Sequence, residues 1–93
     1  MEQRRVAAST IRVQLLSTKS QAGTEKDWRR LQAAYPDLLG GLDLEVAKVD
    51  LGPSRGLWYR GLAGPMASRE EASLFCRSFR AQNSRNECVV ADR

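Results

Sequence analysis

Polar and apolar positions change period several times along this chain, and each change marks an element. Residues 10–17, TIRVQLLS, alternate, with Ile11, Val13 and Leu15 on one side and Arg12, Gln14 and Leu16 on the other, the pattern of a half-buried strand. Trp28, Leu31 and Tyr35 then recur at i, i+3 and i+7 with Ala34 beside them, which predicts a helix with one apolar stripe. Thr24, with Asp27 three residues on, resembles a capping box at its start, and Pro36 ends it. DLLGGL (37–42) reads as a turn whose apolar side chains fold back on the core. DLEVAKVDL (43–51) and LWYRGLA (57–63) are strands joined by the Gly/Pro turn GPSRG, hence a hairpin. Gly64-Pro65 ends the second of them, and Ser68-x-x-Glu71 is a capping box opening a second helix. That helix has Ala72, Phe75, Cys76 and Phe79 on one face, and Asn83 is placed to close it in a left-handed conformation. CVVA (88–91) is a short last strand, and residues 1–9, without a period, are a disordered lead-in to a domain over 10–93.

The order is β-α-β-β-α-β, an α+β chain of the ferredoxin/RNP-like type: one four-stranded antiparallel sheet with two helices on one face. Alternation then sorts the side chains. Val13, Tyr59 and Val90 point at the helices, and Arg12, Gln14, Leu16, Trp58, Arg60, Leu62 and Val89 collect on the other face. A tryptophan, an arginine and an amide on one sheet surface make a stacking and hydrogen-bonding platform, suited to a flat polymer. The bland alternative is that Trp58 is covered by the chain termini or by a second copy. Trp28, on its helical stripe, belongs to the core.

Composition narrows the field. Ninety-three residues make a single small domain, and 42% hydrophobic with 28% charged residues is globular rather than disordered. The net charge of +4 mildly favours anionic partners, but the charges are interspersed, without the basic blocks of nucleic-acid tails. No apolar run approaches a membrane span or a signal-peptide core, so no membrane contact is expected within this fragment. There is no histidine, and Cys76 and Cys88, twelve positions apart, make a poor zinc site. Cys76 lies on the sheet-facing stripe of the second helix and Cys88 shares the face of Val90. The sulfurs are therefore within reach of each other, either as buried thiols or as a disulfide contributing about 3 kcal/mol in the chain-entropy picture.

RVQLLS in the first strand, KVDLGPSRGLWYRGLAGPM across the hairpin, SREEASLFC opening the second helix and ECVV at the end together resemble a SPOR domain. This is the peptidoglycan-binding module of bacterial cell-division and wall-remodelling proteins. The resemblance spans about residues 11–91. It implies the same β-α-β-β-α-β fold and binding of glycan strands that have lost their stem peptides, at the septum, through the face away from the helices. Carried over by position, Gln14, Ser17, Trp58 and Arg60 are the implied glycan contacts. The chain departs from the family pattern in three places: Leu16-Ser17-Thr18 replaces a glycine-then-aromatic exit, Gly61 stands where an inward valine is usual, and Met66 replaces an aromatic. The exit of the first strand is therefore expected to have its own shape.

The reading is a non-catalytic, monomeric targeting module without cofactor or metal. It would work in the periplasm as the C-terminal part of a longer exported or membrane-anchored protein. Two alternatives are a single-stranded nucleic-acid-binding RNP-like domain and a dimerising interaction domain. The first is disfavoured, and nucleic acid is not an expected partner, because the sheet carries one aromatic and no RNP sequence. An enzyme is not expected: the cysteines sit on packed faces, and the Glu70/Glu71 and Asp43/Glu45 carboxylates fit helix capping and exposed strand positions.

Overall fold

A computed structural model describes residues 9–92; of the lead-in expected over 1–9, only Ser9 falls among them. The elements are β1 (Ile11–Thr18), α1 (Gln21–Ala34), α2 (Pro36–Leu39), β2 (Asp43–Asp50), β3 (Leu57–Gly64), α3 (Arg69–Gln82) and β4 (Val89–Asp92). The strands form one antiparallel sheet in the order β2-β3-β1-β4. This is the expected ferredoxin-like α+β arrangement, with one extra turn of helix, α2, at the stretch whose DLLGGL sequence predicts a turn. Helix α1 packs on β1, β2 and β3, and α3 on β1 and β4.

Both long helices start on serine. Ser68 Oγ accepts from the Glu71 N–H at 3.1 Å, as its S-x-x-E spacing predicts, while Glu71 Oε2 accepts from the Ala67 N–H at 3.2 Å. Helix α1 begins earlier than the Thr24–Asp27 pattern suggested. Ser20 is its N-cap and accepts from the Gly23 N–H at 3.0 Å. Thr24 is instead fully buried one turn inside, with its hydroxyl 2.7 Å from Thr18 Oγ1 and donating to the carbonyls of Ser20 and Tyr59. A buried hydroxyl needs such partners, and two of them, Thr18 in β1 and Tyr59 in β3, stitch the helix to the sheet. Asn83 likewise differs from expectation: its backbone is extended (φ −161°, ψ 119°) rather than left-handed. The last turn of α3 does not require a left-handed cap, because the Asn86 amide donates to the Phe79 carbonyl at 2.9 Å. Left-handed backbone occurs among the described residues only at Gly52 and Gly56, which turn the β2–β3 hairpin.

The core lies between sheet and helices. Val13, Leu15, Trp28, Leu39, Ala63, Met66, Ala72, Cys76, Phe79 and Cys88 are buried there, with Leu16, Leu31, Tyr35, Phe75 and Val90 packed against them. Phe79 takes the Tyr35 ring edge-on at 5.1 Å and the Phe75 ring stacked at 5.9 Å. Cys76 and Cys88 are joined by a disulfide, which ties the segment entering β4 to α3.

Strand β1 does not alternate throughout. Gln14 pairs with Leu62 and Leu16 with Gly61, so two residues of β1 advance against one of β3. Leu15 is the extra residue of a β-bulge, and the side-chain pattern inverts beyond it. Leu16, expected on the face away from the helices, therefore turns toward them and packs against the core. The room it occupies is the room a side chain at position 61 would need. A Cβ on Gly61 would lie 3.1 Å from Leu16 Cβ and 3.0 Å from Thr24 Cγ2. The bulge thus accounts for two of the departures from the family pattern together.

Candidate functional site

The sheet face away from the helices is built by register. Cross-strand partners share a face, which brings together Arg12 and Ala91, the row Val89–Gln14–Leu62–Glu45, the row Ser17–Arg60–Ala47, and Trp58 with Val49. Ser17 belongs here only because of the bulge; unbroken alternation from Val13 would have turned it to the helices along with Leu15. All four residues singled out from the sequence, Gln14, Ser17, Trp58 and Arg60, therefore lie on one surface.

Most polar groups on this surface are held. Arg12 Nε is 3.3 Å from Glu45 Oε1, a bridge across the strand between them. Gly64 permits that crossing, since a Cβ there would lie 3.0 Å from Arg12 Cδ. Gln14 Nε2 donates to Glu87 Oε2 at 3.0 Å, fixing the amide and leaving its carbonyl oxygen available as an acceptor. Trp58 Nε1 donates to the Arg55 carbonyl at 3.0 Å, and Lys19 Nζ donates to the same carbonyl at 2.9 Å while sitting 4.3 Å from the Trp58 ring centroid. The indole N–H is thus spent within the hairpin, and what Trp58 offers outward is ring surface, oriented by a cation–π contact.

Arg60 is the exception. Half-buried in the middle of β3, its guanidinium makes no hydrogen bond or ion pair among the described residues. The Ser17 hydroxyl beside it is also uncommitted and exposed. Ala47, on the other flank, contributes only a methyl group and leaves the guanidinium room.

Two side chains that sequence reasoning passed over belong to the site. Glu87 orients Gln14, and Lys19 orients Trp58. Extending the β1–β3 pairing by one residue beyond Thr18–Tyr59 brings Lys19 opposite Trp58, but only with the bulge counted; Glu87 lies in a loop, where no period signals a partner. Leu62 also departs from expectation. It lies on this face yet is only 3% exposed, between its cross-strand partners Gln14 and Glu45. Val89, opposite Gln14, is 55% exposed and is the apolar side chain left open here.

The two cysteines are consumed in the disulfide, and no group of three His, Cys, Asp or Glu among the described residues is gathered as a metal site. No helix of the described residues is long and apolar enough to cross a membrane. Comparison with curated proteins and with solved structures gives no match. The family model for the SPOR domain, however, matches residues 7–91, every described strand and helix except the end of β4. SPOR domains are peptidoglycan-binding modules of cell division, carried by cell-wall-associated proteins, and the family is one of binding domains rather than enzymes. On that match and this fold, the chain belongs to the SPOR-domain family.

Proposed function

We propose that the face away from the helices binds peptidoglycan glycan strands stripped of their stem peptides, and so brings the parent protein to the division septum. The observation that carries this reading is the unpaired guanidinium of Arg60 next to a tryptophan ring held rigidly in place. A sugar ring stacks on Trp58 through its C–H face, while Arg60, the Ser17 hydroxyl and the Gln14 carbonyl oxygen hydrogen-bond to hydroxyl and acetamido groups. The platform is a sheet surface rather than a deep pocket, which suits a polymer lying flat and disfavours one whose branches meet the rim. The Cys76–Cys88 bond supports an oxidising compartment, the periplasm, for an exported or membrane-anchored parent chain. The domain acts as a monomeric, non-catalytic targeting device.

The test is co-sedimentation with isolated sacculi, with and without amidase treatment, for the wild type and Trp58→Ala. Amidase treatment should increase binding and the substitution should abolish it. Failure to bind either preparation would sink the proposal and make nucleic acid the next ligand to try.

A further inference from the structure

Resting on the glycan-binding reading, we infer that Arg60 recognises the lactyl carboxylate that each muramic acid residue exposes when its stem peptide is removed. The stem is joined to the lactyl carbonyl by an amide bond. Hydrolysis breaks that C–N bond, adds water, and leaves an amine on the departing peptide and a carboxylate on the glycan. A stripped strand is therefore not only thinner than an intact one; it has gained a negative charge at every second sugar. Selection by shape alone requires no cation on the binding face.

This face has one that is uncommitted. The nearer carboxylates that share it are already engaged, Glu45 with Arg12 at 3.3 Å and Glu87 with the Gln14 amide at 3.0 Å, and the exposed Asp43 lies at the far end of β2, four residues from the Ala47 that flanks Arg60. Arg60 has no acid of its own among the described residues. Directly opposite it stands the free Ser17 hydroxyl, and two residues along β3 lies Trp58 with the Lys19 ammonium over its ring. A carboxylate arriving here meets the two-pronged guanidinium, a hydroxyl donor and a second positive charge nearby. The planar fork of arginine matches a carboxylate bidentately, and the match is stronger where water is partly excluded, as it is around this half-buried side chain. A sugar stacked on Trp58 holds the strand while its neighbour's carboxylate is read at Arg60. The face thus senses the product of amide hydrolysis by its charge.

The experiment compares two stem-free ligands that differ only in that charge. Strands are released by amidase, and one portion is coupled to ammonia with a carbodiimide to convert lactyl carboxylates into carboxamides. The wild-type chain should bind the acid form about tenfold more tightly than the amide form, the scale of one charge-assisted hydrogen-bond pair. The preference should shrink as salt is raised. Arg60→Gln should bind both forms alike, no more tightly than the wild type binds the amide form, and Arg60→Lys should keep part of the preference. Equal wild-type binding of the two forms overturns this inference while leaving glycan binding intact. An undiminished acid preference in Arg60→Gln also overturns it. Binding to neither form overturns both readings.

Discussion

The two faces of the sheet are built on opposite terms. Toward the helices, apolar side chains interlock, and Thr24, the one buried polar side chain among the described residues, has its hydroxyl satisfied by three partners. No buried side-chain nitrogen or oxygen among the described residues lacks a hydrogen bond. On the far face, polar groups are fastened in pairs, Arg12 to Glu45, Gln14 to Glu87 and Lys19 to Trp58, while at its centre Arg60 and Ser17 are left unspent, as is Asp43 at its edge. A fold of this size has little stability to spare. Stability is therefore concentrated on one side, and the other can keep uncommitted groups.

That contrast can be broken most severely from the helix side. Phe79, 1% exposed and in contact with two rings, should cost about 3–5 kcal/mol on substitution by alanine. Urea unfolding would register this as a lower midpoint, and a loss under 1 kcal/mol would mean that the core is not organised around it. Reducing the Cys76–Cys88 bond should remove about 3 kcal/mol. Thermal melts with and without a phosphine reductant check this, and the same treatment should loosen the Glu87 segment that holds Gln14.

Gly61→Val probes the bulge. Its new side chain would press on Leu16 and Thr24, at a cost of about 1–3 kcal/mol. Combining it with Leu16→Ala should recover part of that loss, because the two side chains compete for one space. Strictly additive losses in a double-mutant cycle would show that they do not. On the far face, Lys19→Ala should cost only about 0.5–1 kcal/mol, the scale of an exposed cation–π contact, and should alter Trp58 fluorescence. Smallest of all, Arg60→Gln should leave stability within about 0.5 kcal/mol, since it removes no partner. A markedly lower melting temperature for this variant would place Arg60 among the structural residues and erase the division between the faces.

Much of this was legible from the residues alone. Alternation in β1 before the bulge and in β3, the Trp28 and Phe79 stripes, the Ser68 cap and the Gly/Pro punctuation depend on local period and backbone preference, which a sequence carries directly. They sufficed for the order of the strands and the two long helices, the sheet, and three of the four residues on the candidate face: Gln14, Trp58 and Arg60. Ser17 came from the resemblance. The cap of α1 was misread because Ser20 and Thr24 are both competent caps locally, and only the presence of Thr18 and Tyr59 beside Thr24 makes its hydroxyl more valuable inside the helix.

What tertiary structure decided is the register. Whether Leu15 is accommodated as a bulge depends on β3 offering a glycine, at position 61, opposite Leu16, some 45 residues away in sequence. Once it does, Leu16 crosses to the core, Ser17 crosses to join Arg60, and Lys19 comes to lie over Trp58. Side-chain period is a property of neighbours along the chain, so the sequence determined which elements form. Which side chains meet across strands, and which cation is left without a partner, are set by distant residues competing for the same space and the same hydrogen bonds.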